Sequence, residues 1–206
     1  MKISKYLVVI FLLLINLAVF TQKKEAFITL RSGEKLKGLA RIKKDQTVKF
    51  RKDKNSEARI YTYREIKVLK IEEDFEMNTY HYKMIKKKHV KRPKLLKLCV
   101  KGNMSLYSEH FDNNTPMGGM AGGGNMGVSL GFSMGGRTTF YYICMNDSHI
   151  VEPVTKVGNG LGRGLRKTGL KFFKDCPVIA KKIKNKTYKN RDIELVVYEY
   201  NLRDGK

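Results

Sequence analysis

Ser133 stands in Gly131-Phe132-Ser133-Met134-Gly135, a G-x-S-x-G pattern, and Asp147 and His149 follow in the chain order of an α/β serine hydrolase. That chemistry needs a serine hydroxyl held up on a strained turn between a strand and a helix. The residues after Ser133 are Gly-Gly-Arg-Thr-Thr-Phe-Tyr-Tyr, which favour a strand, and no βαβ pattern supplies the sheet. Gly/Ser-rich sequence generates such matches freely, so a serine hydrolase is the third reading, behind two others. Met117, Met120, Met126 and Met134 occupy the same loop, with His110 nearby; thioethers are soft ligands that suit Cu(I). Met117, Met120 and Met126 are the metal candidates, although no second methionine cluster or paired histidine accompanies them, and methionine as apolar filler explains them first. Val157 to Gly164, VGNGLGRG, has neither the terminal Lys-Ser/Thr of a P-loop nor GxGxxG spacing, and reads as a linker. His81 and His89 are isolated. Cys99, Cys144 and Cys176 form no CxxC pair and allow at most one disulfide; small buried residues is the preferred reading.

The densest feature is cationic. Lys83 to Lys101 holds nine basic residues and no acid, and Lys83, Lys86, Lys87, Lys88, Lys91, Arg92, Lys94 and Lys97 are the candidate anion-binding residues. A solvated face accounts for such a run first and an electrostatic dock second. The whole chain carries 42 Lys plus Arg against 19 Asp plus Glu, a formal +23. Charge of that size attracts nucleic acid, lipopolysaccharide, anionic lipid or acidic glycan without choosing among them. Residues 102–155 hold one base, Arg137, and four acids, so the basic surface is split around a nearly uncharged middle.

The N-terminus narrows the choice. Lys2 and Lys5 precede an apolar run from Tyr6 to Phe20, shorter than the ~20 residues that span a bilayer, and residues 1–21 read as a secretory signal cleaved before Gln22. An uncleaved signal anchor is the alternative. Either one places the domain outside the cytoplasm, in the periplasm, at the outer membrane or secreted. Anionic lipid, lipopolysaccharide or an envelope protein are then the expected partners, and nucleic acid is not. Nothing in the chain calls for a small-molecule cofactor.

The elements that must position these residues follow from periodicity. AFITL (26–30), KLKGLARI (35–42), TVKFRK (47–52), ARIYTY (58–63) and KVLKI (67–71) are short alternating runs between turn residues. They predict five antiparallel strands in a small basic barrel over residues 22–74, with Gly38 where a bent strand needs no side chain. The layout resembles SH3-like and Sm-like small barrels, with Tyr63-Arg64-Glu65-Ile66 as the late Tyr-x-x-Ile segment, and such barrels carry many unrelated functions.

Residues 75–201 form a second, α+β module. FEMNTYHYKMI (75–85) alternates as a strand, with Tyr80, Tyr82 and Met84 on one side. Pro93 opens PKLLKLCVKG, where Leu95, Leu96 and Val100 line one face of a predicted short helix that Gly102 stops. MSLYSEHF (104–111) and TTFYYICM (138–145) are strands of a hairpin interrupted by a Gly/Met-rich loop, residues 116–136. Two or three helices over residues 165–201 pack the module: Ile193, Val196, Val197 and Tyr200 share one buried face, Asn190 is the expected N-cap, and Pro177 starts a helix with Ile179 and Ile183 four apart. The fold class is α+β, a small SH3/Sm-like barrel followed by a β-hairpin module under C-terminal helices.

The signal ending before Gln22, LKLCVKGNMSLY (Leu96 to Tyr107), Tyr141-Tyr142-Ile143 and above all FFKDCPVIAKKIKNKTYKNRDIELVVYEYN resemble a family of functionally uncharacterised exported proteins of Bacteroidota. The resemblance implies an envelope or secreted location and no catalytic residues. Export, the large positive charge and the lack of a credible catalytic constellation make a non-enzymatic binding or structural protein the leading expectation, with Cu(I) binding by the methionine loop the alternative.

Overall fold

The computed structural model describes residues 24–87, 90–112, 137–158 and 164–204. The expected signal, Lys88, His89, the loop with Met117, Met120, Met126 and Ser133, and residues 159–163 lie outside the described residues.

The fold is mixed α+β. Ten strands come first: β1 (Lys24–Leu30), β2 (Lys35–Ile42), β3 (Val48–Arg51), β4 (Arg59–Tyr61), β5 (Ile66–Glu73), β6 (Glu76–Ile85), β7 (Lys94–Val100), β8 (Met104–Asp112), β9 (Arg137–Met145) and β10 (Ile150–Val157). Short helical segments close the chain: single turns at Leu165–Gly169, Leu170–Phe172 and Asn190–Asp192, and the α-helices α1 (Pro177–Lys184) and α2 (Ile193–Asp204). The strands hydrogen-bond in the order β10-β9-β8-β7-β6-β5-β1-β2-β3-β4. In addition β10 returns to β6 in parallel, with Ile150 opposite Met84 and Val151 opposite Ile85, so β6 to β10 close a ring.

Local chemistry explains the first five strands. The β2–β3 turn is held by Asp45, which accepts from the Thr47 amide at 3.1 Å and its hydroxyl at 2.7 Å, while Gln46 takes a φ of 68°. Asp53 accepts from the Asn55 and Ser56 amides, both at 2.8 Å, before β4. Gly38 is buried, and a Cβ there would collide with the Arg51 carbonyl and the Phe50 ring, the close approach its position in β2 predicts. One face of these strands buries Ile28, Val48, Phe50, Ile66, Leu69 and Ile71, and this core extends beyond residue 74 to Tyr82 of β6 and Leu95 of β7.

The ring strands bury both faces. Leu96, Tyr107, Tyr142, Cys144, Val151 and Ile85 pack on the inner face. On the outer face Leu106, Ile143 and Val154 pack against Leu165, Phe173, Ile179 and Ile183 and against Ile193, Val196, Val197 and Tyr200 of α2. The four α2 residues are at most 3% exposed, as their 3.6-residue spacing predicts. The Tyr200 hydroxyl donates to Asp175 at 2.6 Å, which ties α2 to the turn that starts α1 at Pro177.

The predicted helix at Leu95, Leu96 and Val100 is instead β7. Leu95 faces the first core and Leu96 the ring, so both faces of the strand are apolar and the alternation that marks a one-sided strand is missing. Gly102 accordingly stops no helix; it lies where a Cβ would strike the Asn201 side chain. Asn190 does not cap α2 either. Its Oδ1 accepts from the Leu165 amide at 2.7 Å, while Asp192 accepts from the Lys189 amide at 2.7 Å.

Candidate anion-binding site

The parallel pairing of β6 with β10 brings the basic run to a second set of lysines. The Lys86 amide donates to the Val151 carbonyl at 2.9 Å, which carries Lys86 and Lys87 over β10. Next along the chain the turn Leu165–Gly169 is fastened to β10 by Thr168, whose hydroxyl donates to the Val154 carbonyl and lies 3.2 Å from the Gly164 carbonyl. The result is a cavity of about 730 Å³ lined by Lys86, Lys87, Lys156, Lys167 and Lys171, with Phe140, Pro153 and Val154 as its apolar wall and Glu152 as its carboxylate.

Glu152 lies 2.8 Å from the Lys86 ammonium and 2.5 Å from that of Lys171. These two partners, Lys171 the stronger, hold its carboxyl below the usual carboxylate range. Among the described residues no ion pair involves Lys87, Lys156 or Lys167. Five lysines therefore line the cavity with one carboxylate among its described residues, and the excess positive charge is what an anion would neutralise. Thr155 also lines the cavity; its hydroxyl oxygen is buried and makes no hydrogen bond among the described residues.

Among the described residues, the other members of the basic run do not join this site. Lys83 is 5% exposed, against the expectation of a surface anion binder: strand alternation turns it into the ring with His81 and Ile85, and its ammonium donates to the Ser148 carbonyl at 2.7 Å and to Asp147 at 3.2 Å. Lys94, opposite Lys83 in the β6–β7 ladder, is bound to Glu109 at 2.7 Å, and the Tyr142 hydroxyl donates to the other oxygen of Glu109 at 3.1 Å. Burial pushes the Tyr142 phenol above its ordinary range. Lys97 is half-buried on β7, and Lys91 and Arg92 are exposed between β6 and β7.

Lys156, Lys167, Lys171 and Thr155 were not among the sequence candidates. The signal for them is faint: lysines flanking a glycine-rich linker, distant from Lys86 along the chain. Elsewhere the thiols of Cys99, Cys144 and Cys176 are free, with Cys144 buried and the other two half-buried. Burial raises the Cys99 thiol to about 11. Among the described residues no three His, Cys, Asp or Glu side chains gather as metal ligands, and no helix is long and apolar enough to cross a membrane.

No protein-family model, curated protein or solved structure matches this chain.

Proposed function

We propose that this chain is a non-enzymatic, exported binding protein whose lysine-lined cavity takes an anionic component of the cell envelope, a phosphate-bearing lipid or lipopolysaccharide headgroup. One observation carries the reading: lysines from two distant stretches, Lys86 and Lys87 on one side and Lys156, Lys167 and Lys171 on the other, line the same cavity with a single carboxylate among them. A concave site with that excess of positive charge concentrates anions, and its apolar wall of Phe140, Pro153 and Val154 suits the body of an amphiphile better than a bare ion. The exported location rests on the Lys2, Lys5 and Tyr6–Phe20 pattern and on the family resemblance. For the described part of residues 22–74 we infer a small SH3/Sm-like barrel, supported by the strand order β5-β1-β2-β3-β4 and the mid-strand Gly38.

The test is sedimentation with phosphatidylcholine vesicles containing phosphatidylglycerol, and separately with lipopolysaccharide, at low and high salt. Binding is expected to fall about tenfold or more between roughly 0.05 and 0.5 M salt, because screening shortens the reach of exposed charges. Lys156→Glu together with Lys167→Glu should abolish it at low salt with the fold intact. Binding that ignores salt, or that survives the double charge reversal, overturns the reading.

A further inference from the structure

Inside the ring, away from the lysine cavity, an amine and a thiol are held side by side. The Lys83 ammonium lies 3.7 Å from Cys144 Sγ, on neighbouring sides of one acceptor: the Ser148 carbonyl takes hydrogen bonds from Lys83 at 2.7 Å and from the Cys144 thiol at 2.9 Å. Lys83 is 5% exposed and Cys144 1%, so the pair sits in an apolar interior beside Tyr107, whose ring centroid is 5.1 Å from Lys83 Nζ. Asp147, exposed at the mouth of this cluster, reaches Lys83 Nζ at 3.2 Å. Electrostatics alone does not require a cysteine here, since the Ser148 carbonyl, Asp147 and the Tyr107 face already compensate the ammonium.

We propose that Lys83 and Cys144 form a covalent Nζ–Sγ crosslink, a sulfenamide, when the protein meets a peroxide. The thiol sulfur attacks the peroxide, the O–O bond breaks, and Cys144 becomes a sulfenic acid while the peroxide leaves as an alcohol or water. The Lys83 ammonium passes a proton to the Asp147 carboxylate, and the freed amine attacks the electrophilic sulfur. The S–O bond breaks and the departing hydroxide takes a second proton from the new nitrogen centre as water. The sulfur loses two electrons and the peroxide gains them; the remaining proton is released from Asp147 to solvent. A neighbouring backbone nitrogen is known to condense with sulfenic acids in the same way, and here the nitrogen is a side-chain amine already within van der Waals reach.

The link would join β6 to β9 across the ring, over a sequence separation of 61 between positions 83 and 144. Burial pushes the Cys144 thiol up and the Lys83 charge opposes that rise, so oxidation is slow at neutral pH and quickens as pH increases. Cys99 and Cys176 serve as internal controls, because both are less buried than Cys144.

The experiment is hydrogen peroxide treatment of the folded full chain, followed by intact mass and peptide mapping. The expected product has lost about 2 Da, carries a linked pair of peptides containing Lys83 and Cys144, and returns to the starting mass with dithiothreitol. Cys144→Ser and Lys83→Arg should each eliminate the linked pair; arginine can keep the ionic contacts but is a poor nucleophile, and the serine variant covers the case in which the arginine variant fails to fold. Gain of about 16 or 32 Da on Cys144 without linkage overturns the proposal, as does an unmodified Cys144 under conditions that oxidise Cys99 or Cys176.

Discussion

Glu152 sets the charge of the cavity, because it is the one carboxylate among five lysines and it occupies two of them, Lys86 and Lys171. Its carboxyl is depressed in the folded state, so its contribution to stability is present above the unfolded carboxylate value and is lost as the pH falls through the lower folded value. Glu152→Gln is therefore expected to flatten the acid limb of the stability curve while leaving stability near neutral pH slightly lower. The same change removes the only negative charge among the described residues of the site, and affinity for anionic vesicles should rise roughly threefold or more at low salt. Thermal melts between about pH 3 and pH 7 and vesicle titrations at pH 7 check the two halves. Unchanged vesicle affinity would mean that the anion does not approach Glu152. At this scale the sequence identified Lys86 and Lys87 from local charge density, but it could not separate them from Lys83. The difference lies in which side of β6 each residue occupies and in the return of β10 to that strand.

The elements differ in how plainly they announce themselves. α2 presents one apolar stripe to one core, so Ile193, Val196, Val197 and Tyr200 were readable from spacing alone, and the β8–β9 hairpin was readable from its alternation. β7 was not, because Leu95 and Leu96 serve two cores on opposite faces, and an apolar run of that kind carries no period of its own. The lysine cavity was least visible, since it depends on two parallel residue pairs between β6 and β10 that no local pattern encodes. A second non-local device fixes α2 on the sheet. Asn201 acts as a strand partner for β8: its Oδ1 accepts from the Met104 amide at 3.0 Å and its Nδ2 donates to the Met104 carbonyl at 2.9 Å. Asn201→Ala leaves both backbone groups unpaired beside a helix that shields them. The expected loss is about 1–3 kcal/mol by denaturant titration. Asn201→Asp should recover part of it, since one carboxylate oxygen can still accept from the amide; equal losses in both variants would show that packing against Gly102, and not hydrogen bonding, is the source.

For the whole molecule, β6 is the shared wall. Tyr82 belongs to the first core, Ile85 to the ring interior, and the β5–β6 and β6–β7 ladders carry the sheet across without a break. Unfolding the ring strips Tyr82 and Leu95 from the first core, so the two halves should melt together, with coincident far-ultraviolet and aromatic signals and equal calorimetric and van't Hoff enthalpies. That cooperative transition has to form against a formal +23, whose self-repulsion is relieved by salt. Moderate salt should therefore raise the melting temperature of the free protein while it weakens binding to anionic vesicles. The opposite signs matter because they separate two consequences of one charge: repulsion within the fold and attraction at the lysine cavity. Lys156→Glu with Lys167→Glu, which should abolish the binding, should also reduce the salt slope of the melt, as it removes positive charge from the same surface. A double variant that loses binding but melts with an unchanged salt slope would place the repulsion elsewhere on the chain, and two separated transitions would show that β6 does not couple the halves.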